Sequence, residues 1–407
     1  MLPEGWKSGK LADQLDQIID YRGTSVPKAK SGIPLITARN VRRGFLDLNA
    51  PEYIDPNAEK EWMSRGYPCA GDVLFTTEAP LGNVAKFPEN GKFCIGQRVV
   101  ALRTKKHVLT SDFLLYQLLS DKGKDLINER SSGSTAKGIK TKELKKVIIP
   151  LPPLPEQKKI AAILSTWDRA IEVTEKLLAN SQQQKKALMQ QLLTGKKRLP
   201  GFTGEWKKHV LSDFFARMTS RNTAGCTNVV TMSAQEGLIR QEEYFKKSVA
   251  SDTLDGYFLM KKGDFAYNKS YSNGYPMGAI KRLNRYEEGV VTTLYICFRL
   301  QNTYLSNGDF FEAYFDAGML NVGLTQIAHE GGRAHGLLNV KPADFMSLRL
   351  VVPGGEEQKA IASVLTKADE EVTLLKSDLS RLRQEKKALM QQLLTGKRRV
   401  KIEADAG

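Results

Sequence analysis

KKALMQQLLTGK, residues Lys185–Lys196, recurs letter for letter as Lys386–Lys397. The two copies lie 386 − 185 = 201 positions apart, and a twelve-residue identity is not chance. At that offset Glu156–Leu199 and Glu357–Val400 run for 44 positions without a gap and match at 22. Both copies open with EQK and close with glycine and a basic cluster, KKR or KRR. Their apolar residues recur at spacings of three and four, which puts them on one stripe of a helix. Pro155 suits a first helical turn, and Gly195 and Gly396 suit the position just past the end. Neither copy has an interior proline or glycine. Each is therefore read as a helix of about 40 residues, some 60 Å long at ~1.5 Å per residue. A lone rod would leave its stripe wet, so the natural partner of each rod is the other. The pairing positions are Ile160, Ile171, Leu178, Leu188 and Leu192, facing Ile361, Val372, Leu379, Leu389 and Leu393. A charge placed at Leu188 or Leu389 is expected to break the assembly, because it would lie in the seam.

The repeat extends outward from the rods. GWKSGKLAD (Gly5–Asp13) returns as EWKKHVLSD (Glu205–Asp213), with Trp6/Trp206, Leu11/Leu211 and Asp13/Asp213 in step. The chain thus reads globule, rod, globule, rod: 1–155, 156–199, 200–353 and 354–407. In the first globule IPLITARNV (Ile33–Val41), GDVLFTT (Gly71–Thr77) and FCIGQRVVALR (Phe93–Arg103) read as strands. SDFLLYQLLSDKGKDLI (Ser111–Ile127) reads as one helix with Ser111 as its cap. SSGSTAKGI (Ser131–Ile139) is a polar loop, and KKVIIPLPPLPEQ (Lys145–Gln157) is a last strand, a stiff proline segment and the first turn of the rod. The second globule repeats this order in VVTMSAQEG (Val229–Gly237), KKGDFAYNKS (Lys261–Ser270), VVTTLYICFRL (Val290–Leu300), NGDFFEAYF (Asn307–Phe315) and LRLVVP (Leu348–Pro353). The fold class is α+β: two pseudo-repeated α/β domains separated by two long antiparallel helices forming a coiled coil. A pseudo-two-fold axis between the halves would make a nearly closed ring.

Charge narrows the function. The balance is 61 − 45 = +16 with a pI near 9.5, and a basic excess of that size favours a polyanionic partner, nucleic acid first. No apolar run approaches the ~18 residues of a membrane span, and MLPEGWKSGK lacks the apolar core of a secretory signal. Cys69, Cys94, Cys226 and Cys297 show no CxxC spacing, which suits reduced thiols in a cytoplasmic protein. The catalytic motifs of phosphate loops, dinucleotide folds, nucleophile elbows and adenine methyltransferases are missing from the sequence. His107, His209, His329 and His335 sit in no cluster with ligand spacing. The sequence is therefore read as a binding protein with no catalysis and no metal of its own.

Two basic heads on a spacer suit double-stranded DNA, with half-sites roughly 34–36 Å apart. Phosphates would supply affinity and base edges discrimination. In the first head the candidates are Arg39, Asn40, Arg42 and Arg43 after the first strand, Thr76 and Thr77 at the end of the second, and Ser134, Thr135, Lys137 and Lys140 in the polar loop. Arginine and asparagine are the side chains that pair bidentately with guanine and adenine. In the second head they are Asn268, Lys269, Ser270, Tyr271, Asn273 and Tyr275 in one loop, with Arg333 and His335 in the counterpart of the polar loop. A competing reading is a coiled-coil scaffold whose basic heads hold acidic proteins.

GSTAKGI (Gly133–Ile139), IIPLPPLPEQKKIA (Ile148–Ala161) and KKALMQQLLTGKKRLPGF (Lys185–Phe202) with its repeat carry a resemblance that covers essentially the whole chain. The sequence resembles the specificity subunits of type I restriction–modification enzymes. That resemblance implies two target-recognition domains, each reading one part of a split asymmetric DNA site. It implies two long helices that space them and dock two methyltransferase subunits, with restriction–translocase subunits joining the complex. It places S-adenosylmethionine, ATP and magnesium on those partners, not on this chain. The second half departs from the pattern: GSTAKGI becomes GGRAHGL (Gly331–Leu337) and PPLPEQ becomes PGGEEQ (Pro353–Gln358).

Overall fold

A computed structural model describes residues 2–21, 26–133, 137–245, 253–301, 306–330 and 338–402. The side chains of residues 329 and 330 are outside that description. Two continuous helices, Leu154–Leu192 and Gly355–Leu393, have 39 residues each. The chain divides into two compact units that cut both helices: Met1–Glu175 with Ser377–Gly407, and Lys176–Lys376. The sequence reading gave the helices boundaries of their own. Instead each unit holds a globule, the half-helix that leaves it and the half-helix that ends on it.

In the first unit a four-stranded antiparallel sheet runs in the order Leu15–Asp20, Val99–Thr104, Val73–Thr76, Val84–Lys86. Both faces of this sheet are covered. Val73, Phe75, Val100 and Leu102 point into a core shared with helix Ser111–Leu119, while Leu74, Ala85, Val99 and Ala101 point into a second core against a smaller sheet. That is the period-two alternation of a strand, with apolar residues on both sides. The smaller sheet runs Lys28–Ala29, Glu52–Ile54, Ile33–Ile36, Cys94–Ile95. The second unit repeats the main sheet as Phe215–Met218, Ile296–Leu300, Phe265–Asn268, Ala279–Arg282. Its core is a phenylalanine cluster: Phe215, Phe265, Phe298, Phe310, Phe311, Phe315 and Phe345. Each globule is closed by pairing its first strand with its last, Lys7–Lys10 with Ile148–Leu151 and Lys207–Val210 with Arg349–Val352.

The Gly-Asp pairs of the two globules explain themselves in three dimensions. Asp72 accepts from the Cys69 N–H at 2.8 Å and binds the Arg103 guanidinium at 2.8 and 3.1 Å. Asp264 accepts from the Lys261 N–H at 2.6 Å and binds Arg299 at 2.6 and 2.8 Å. One buried carboxylate thus ties a turn to the central strand in each unit, and Gly71 and Gly263 precede it at φ +84 and +92.

Four sequence readings change. VVTTLYICFRL is two strands, Glu288–Val291 and Ile296–Leu300, in different sheets. FCIGQRVVALR is not one strand: Cys94–Ile95 and Val99–Thr104 belong to different sheets, and the chain turns between them. SDFLLYQLLSDKGKDLI is two helices, Ser111–Leu119 and Asp121–Glu129. Thr110, not Ser111, caps the first by accepting from Phe113, and Ser120 caps the second by accepting from Gly123. IPLITARNV is strand only over Ile33–Ile36. Cys94, Cys226 and Cys297 are buried and Cys69 is exposed; burial pushes the Cys94 thiol up to about 11 and Cys297 to about 12.

The helix halves run antiparallel within each unit. In the first, Lys386 pairs with Asp168 and Arg383 with Glu175 at 2.6 Å. In the second, Lys185 pairs with Asp369, and Ser181 donates to Glu371 at 2.8 Å. The EQ that opens each helix is the joint. Glu156 is fully buried and takes both nitrogens of the Arg399 fork at 2.7 and 2.9 Å, plus the Trp6 indole N–H at 3.0 Å. Glu357 takes Arg198 likewise at 2.5 and 2.7 Å. Each arginine lies over a tryptophan, Arg399 over Trp6 and Arg198 over Trp206. Gln157 accepts from Thr110 N–H at 2.9 Å and Gln358 accepts from Asn307 N–H at 3.0 Å, so each glutamine holds the start of the globule's main helix.

Of the pairing residues, Ile160, Leu192, Ile361 and Leu393 are buried in the globule cores, and Val372 and Leu379 are 7 % exposed. Ile171, Leu178, Leu188 and Leu389 are only half-buried. The seam is therefore sealed where the helices meet the globules, and the expectation that a charge at Leu188 or Leu389 breaks the assembly moves to their buried neighbours.

Candidate nucleic-acid interface

In the first unit four loops meet at one rim. The turn after Ile33–Ile36 is held to the neighbouring hairpin by Gly44 N–H to Val84 O at 2.8 Å and by Asn83 Nδ2 donating to Val41 O at 2.9 Å. The hairpin start is held to the turn before Val99–Thr104 by Thr77 N–H to Arg98 O at 3.0 Å. The polar loop joins through Ile139 N–H to Thr77 O at 2.9 Å and a bridge between Glu78 and Gly138. These backbone bonds fix the loops against a rigid sheet, as a reading surface requires.

The candidates divide on this rim. Arg39, Lys137 and Lys140 are exposed. Arg39 lines a concavity together with Lys28, Glu52, Gln97 and Arg98. Arg42 is exposed but pairs with Asp47 at 3.4 Å. Arg43 lines a different cleft, with Lys122, Arg383 and Lys387, so the structure does not bring it together with Arg39. Asn40, Thr76 and Thr77 are corrections. Asn40 is 5 % exposed; its Oδ1 accepts from Thr37 N–H and Oγ1–H, both at 2.9 Å, and its Nδ2 donates to Asp47 O at 2.9 Å. It bolts its own loop and has no free edge for a base. Thr76 and Thr77 are 0 % and 1 % exposed, their hydroxyls bonded to Asn83 and to Arg98 O. Ser134 and Thr135 lie outside the described residues.

In the second unit the loop Asn268–Pro276 is a hairpin tip. Tyr275 N–H donates to Ser272 O at 2.8 Å around Asn273 and Gly274, the latter at φ +84. A turn with positive φ only at its third residue calls for glycine there, and Gly274 supplies it. Tyr271, 64 % exposed, and Asn273 point outward. Asn268 Oδ1 accepts from Ser270 N–H at 3.1 Å, a local turn, and Lys269 O accepts from Leu338 N–H at 3.0 Å. Asn268, Lys269 and Ser270 are half-buried. Tyr275 is turned inward: its hydroxyl accepts from Lys281 Nζ at 3.0 Å, and Lys281 pairs with Asp316 at 2.6 Å. Arg333 and His335 lie outside the described residues.

Sequence reasoning missed Gln97, Arg98 and Glu78. Gln97 and Arg98 are exposed at the rim, and Arg98 Nε lies 3.0 Å from Glu78. Gly96 was the available signal, since a glycine inside a strand-like run marks a break. Among the described residues no group of three or more His, Cys, Asp or Glu could hold a metal ion, and no helix is long and apolar enough to cross a membrane.

Comparison with known proteins bears on this geometry. A family model described as "Type I restriction modification DNA specificity domain" matches residues 23–180. The chain is similar to the putative type I restriction enzyme MjaX specificity subunit of Methanocaldococcus jannaschii, at 26 % identity over 98 % of this chain and 95 % of that protein. The MjaIX specificity subunit of the same organism is 31 % identical over 43 % of this chain and 40 % of its own. Among solved structures, the HsdS subunit from Thermoanaerobacter tengcongensis superposes with TM-score 0.51 at 17 % identity, covering 97 % of this chain and 98 % of that one. The type I restriction–modification S subunit from M. genitalium gives TM-score 0.59 at 15 % identity, covering 96 % of each. At those identities the structural likeness is one of fold.

Proposed function

The chain belongs to the specificity subunits of type I restriction–modification systems, and from that premise we infer that it reads a split, asymmetric DNA sequence and does no chemistry itself. The observation that carries this is the pair of units. They share one sheet order, one Asp–Arg tie and one Glu–Gln joint, yet carry different side chains on the loops at the rim. A constant frame with variable edges suits two readers of unlike half-sites. S-adenosylmethionine, ATP and magnesium belong, in this reading, to partner subunits, and a DNA substrate places the assembly in the cytoplasm.

If the heads read independently, Tyr271→Ala with Asn273→Ala alters recognition of one half-site and leaves the other intact. Methylome sequencing of a host carrying the complete system measures this directly. Loss of both halves together, with the protein folded, contradicts independent heads.

A second observation supports two copies of one methyltransferase subunit. Between 162 and 184, of the helix positions exposed in both repeats, only Gln183 matches its twin 201 residues on, Gln384. Inside the twelve-residue block the exposed positions agree without exception: Lys186, Ala187, Gln190, Gln191 and Lys196, with Lys387, Ala388, Gln391, Gln392 and Lys397. Core packing explains identity at Leu192 and Leu193, and Asp121 holds Lys387 and Gln391, but neither makes a demand on Gln190, Gln191 or Gln392. Recent duplication would have preserved the whole helix surface. A surface kept twice suits a partner bound twice. Ala187→Tyr or Ala388→Tyr should each reduce the methyltransferase copies per specificity subunit from two to one, and the double variant to none. Native mass spectrometry reads this count; an unchanged count for the double variant refutes the assigned face.

A further inference from the structure

We propose that the two units read bases with the same turn carrying different side chains, Gln97–Arg98 in the first and Thr293–Leu294 in the second. The proposal rests on the DNA-reading function above and assigns its specificity determinants.

The turns are structural twins. Val99 N–H donates to Gly96 O at 3.1 Å, and Tyr295 N–H donates to Thr292 O at 3.2 Å. Each turn carries the chain into the central strand, Val99–Thr104 or Ile296–Leu300. The alignment is anchored by Arg103 and Arg299, which make the same bidentate tie to Asp72 and Asp264. Counting back from them, 103 − 98 = 299 − 294, so Arg98 and Leu294 are equivalent, as are Gln97 and Thr293.

Both turns are pinned from behind and bare in front. In the first unit Gly96 N–H donates to Ile36 O at 2.8 Å and Arg98 O accepts from Thr77 N–H at 3.0 Å. In the second, Tyr295 folds back so that its hydroxyl accepts from Met232 N–H at 3.4 Å. The two central side chains of each turn are exposed, Leu294 at 59 %. A leucine held outward at the tip of a fixed turn contributes nothing to either core of its unit.

The chemistry of the tips differs in kind. A guanidinium fork matches the O6 and N7 of guanine, whereas apolar groups contact the thymine methyl. Glu78 bears on which contact Arg98 makes. Its carboxylate holds Arg98 Nε at 3.0 Å with both side chains about half exposed, 51 and 49 %. A carboxylate beside the fork repels a phosphate, so it disfavours the sequence-blind contact and leaves the base edge. Arg98 therefore reads a guanine in one half-site, with Glu78 as its positioning residue, and Leu294 packs on a thymine methyl in the other.

The test selects bound duplexes from a randomised pool with the full complex of this chain and its methyltransferase subunits, and sequences them. Wild type should return a split motif with guanine in one half and thymine in the other. Arg98→Ala should relax that guanine by roughly ten- to hundredfold, because it removes the donors to the base edge. Leu294→Ala should relax the thymine in the opposite half. A wild-type motif retained by Arg98→Ala, with only a weaker salt dependence, would make Arg98 a phosphate contact and overturn the proposal. So would an unchanged motif for Leu294→Ala, or relaxation in both halves from one substitution. A wild-type complex that selects no split motif at all defeats the DNA-reading function itself, a different failure.

Discussion

Leu393→Asp is expected to release the end of the second long helix from the first unit. Leu393 is 2 % exposed in a cluster with Trp6, Phe113, Leu114, Leu118, Ile160 and Leu164. A carboxylate forced into it loses its hydration at an effective cost of several kcal/mol, roughly, against a total domain stability of about 5–15 kcal/mol. The less costly response is for the arm to peel away. Peeling breaks the Arg399–Glu156 fork, the Gln117 bond to Leu394 O at 2.9 Å and the Lys386–Asp168 pair together. Hydrogen exchange reads the outcome: a loss of roughly 3 kcal/mol in opening free energy speeds amide exchange across 377–402 by roughly a hundredfold. Strand Ile296–Leu300 in the second unit should exchange as in wild type. Leu389→Asp, at a half-buried position, should give a much smaller effect. Equal protection of the arm in wild type and Leu393→Asp would mean that the helix end is not part of the first unit's core.

The long helices were legible because one-dimensional periodicity is all a helix needs, and the repeat printed the same pattern twice. Their partition between two units was not, because it depends on which globule's core the ends enter. Leu192 and Leu393 look in sequence like seam residues of a coiled coil, and only packing shows them inside globules. The strands failed where a turn interrupts an apolar run. Gly96 and Thr292 sit inside runs whose letters favour strands, and the tertiary bonds that force the turn, Ile36 O to Gly96 among them, come from residues about 60 positions away. For the site, residue type pointed to Arg39, Lys137 and Tyr271 but equally to Asn40 and Thr76. Polar side chains serve loops and ligands alike. Asn40 is consumed by Thr37 and Asp47, a fact of geometry that no count of donors and acceptors in the sequence reveals.

Binding to the cognate duplex should fall steeply with salt. The chain carries 61 − 45 = +16 formal charges, and exposed cations such as Arg39, Lys137 and Lys140 lie on the first unit's rim. A protein that neutralises six to ten phosphates loses roughly 10³–10⁵ in affinity between 50 and 200 mM salt, through release of condensed counterions. Fluorescence anisotropy against salt gives the slope. Lys137→Ala should lower that slope by about one and weaken cognate and random duplex alike, which marks a phosphate contact. Base contacts behave otherwise: they set the ratio of cognate to random affinity, and that ratio should persist as salt rises and both affinities fall. Random duplex should therefore compete poorly with cognate at every salt concentration at which both bind. This pattern also decides between DNA reading and a basic scaffold for acidic proteins. A scaffold would lose its protein partner to salt too, but random and cognate duplex would displace that partner equally at every salt concentration. Since base contacts depend on positioned side chains and phosphate contacts on charge alone, a cognate-to-random ratio near one throughout the titration would leave the charge of this chain without sequence to read.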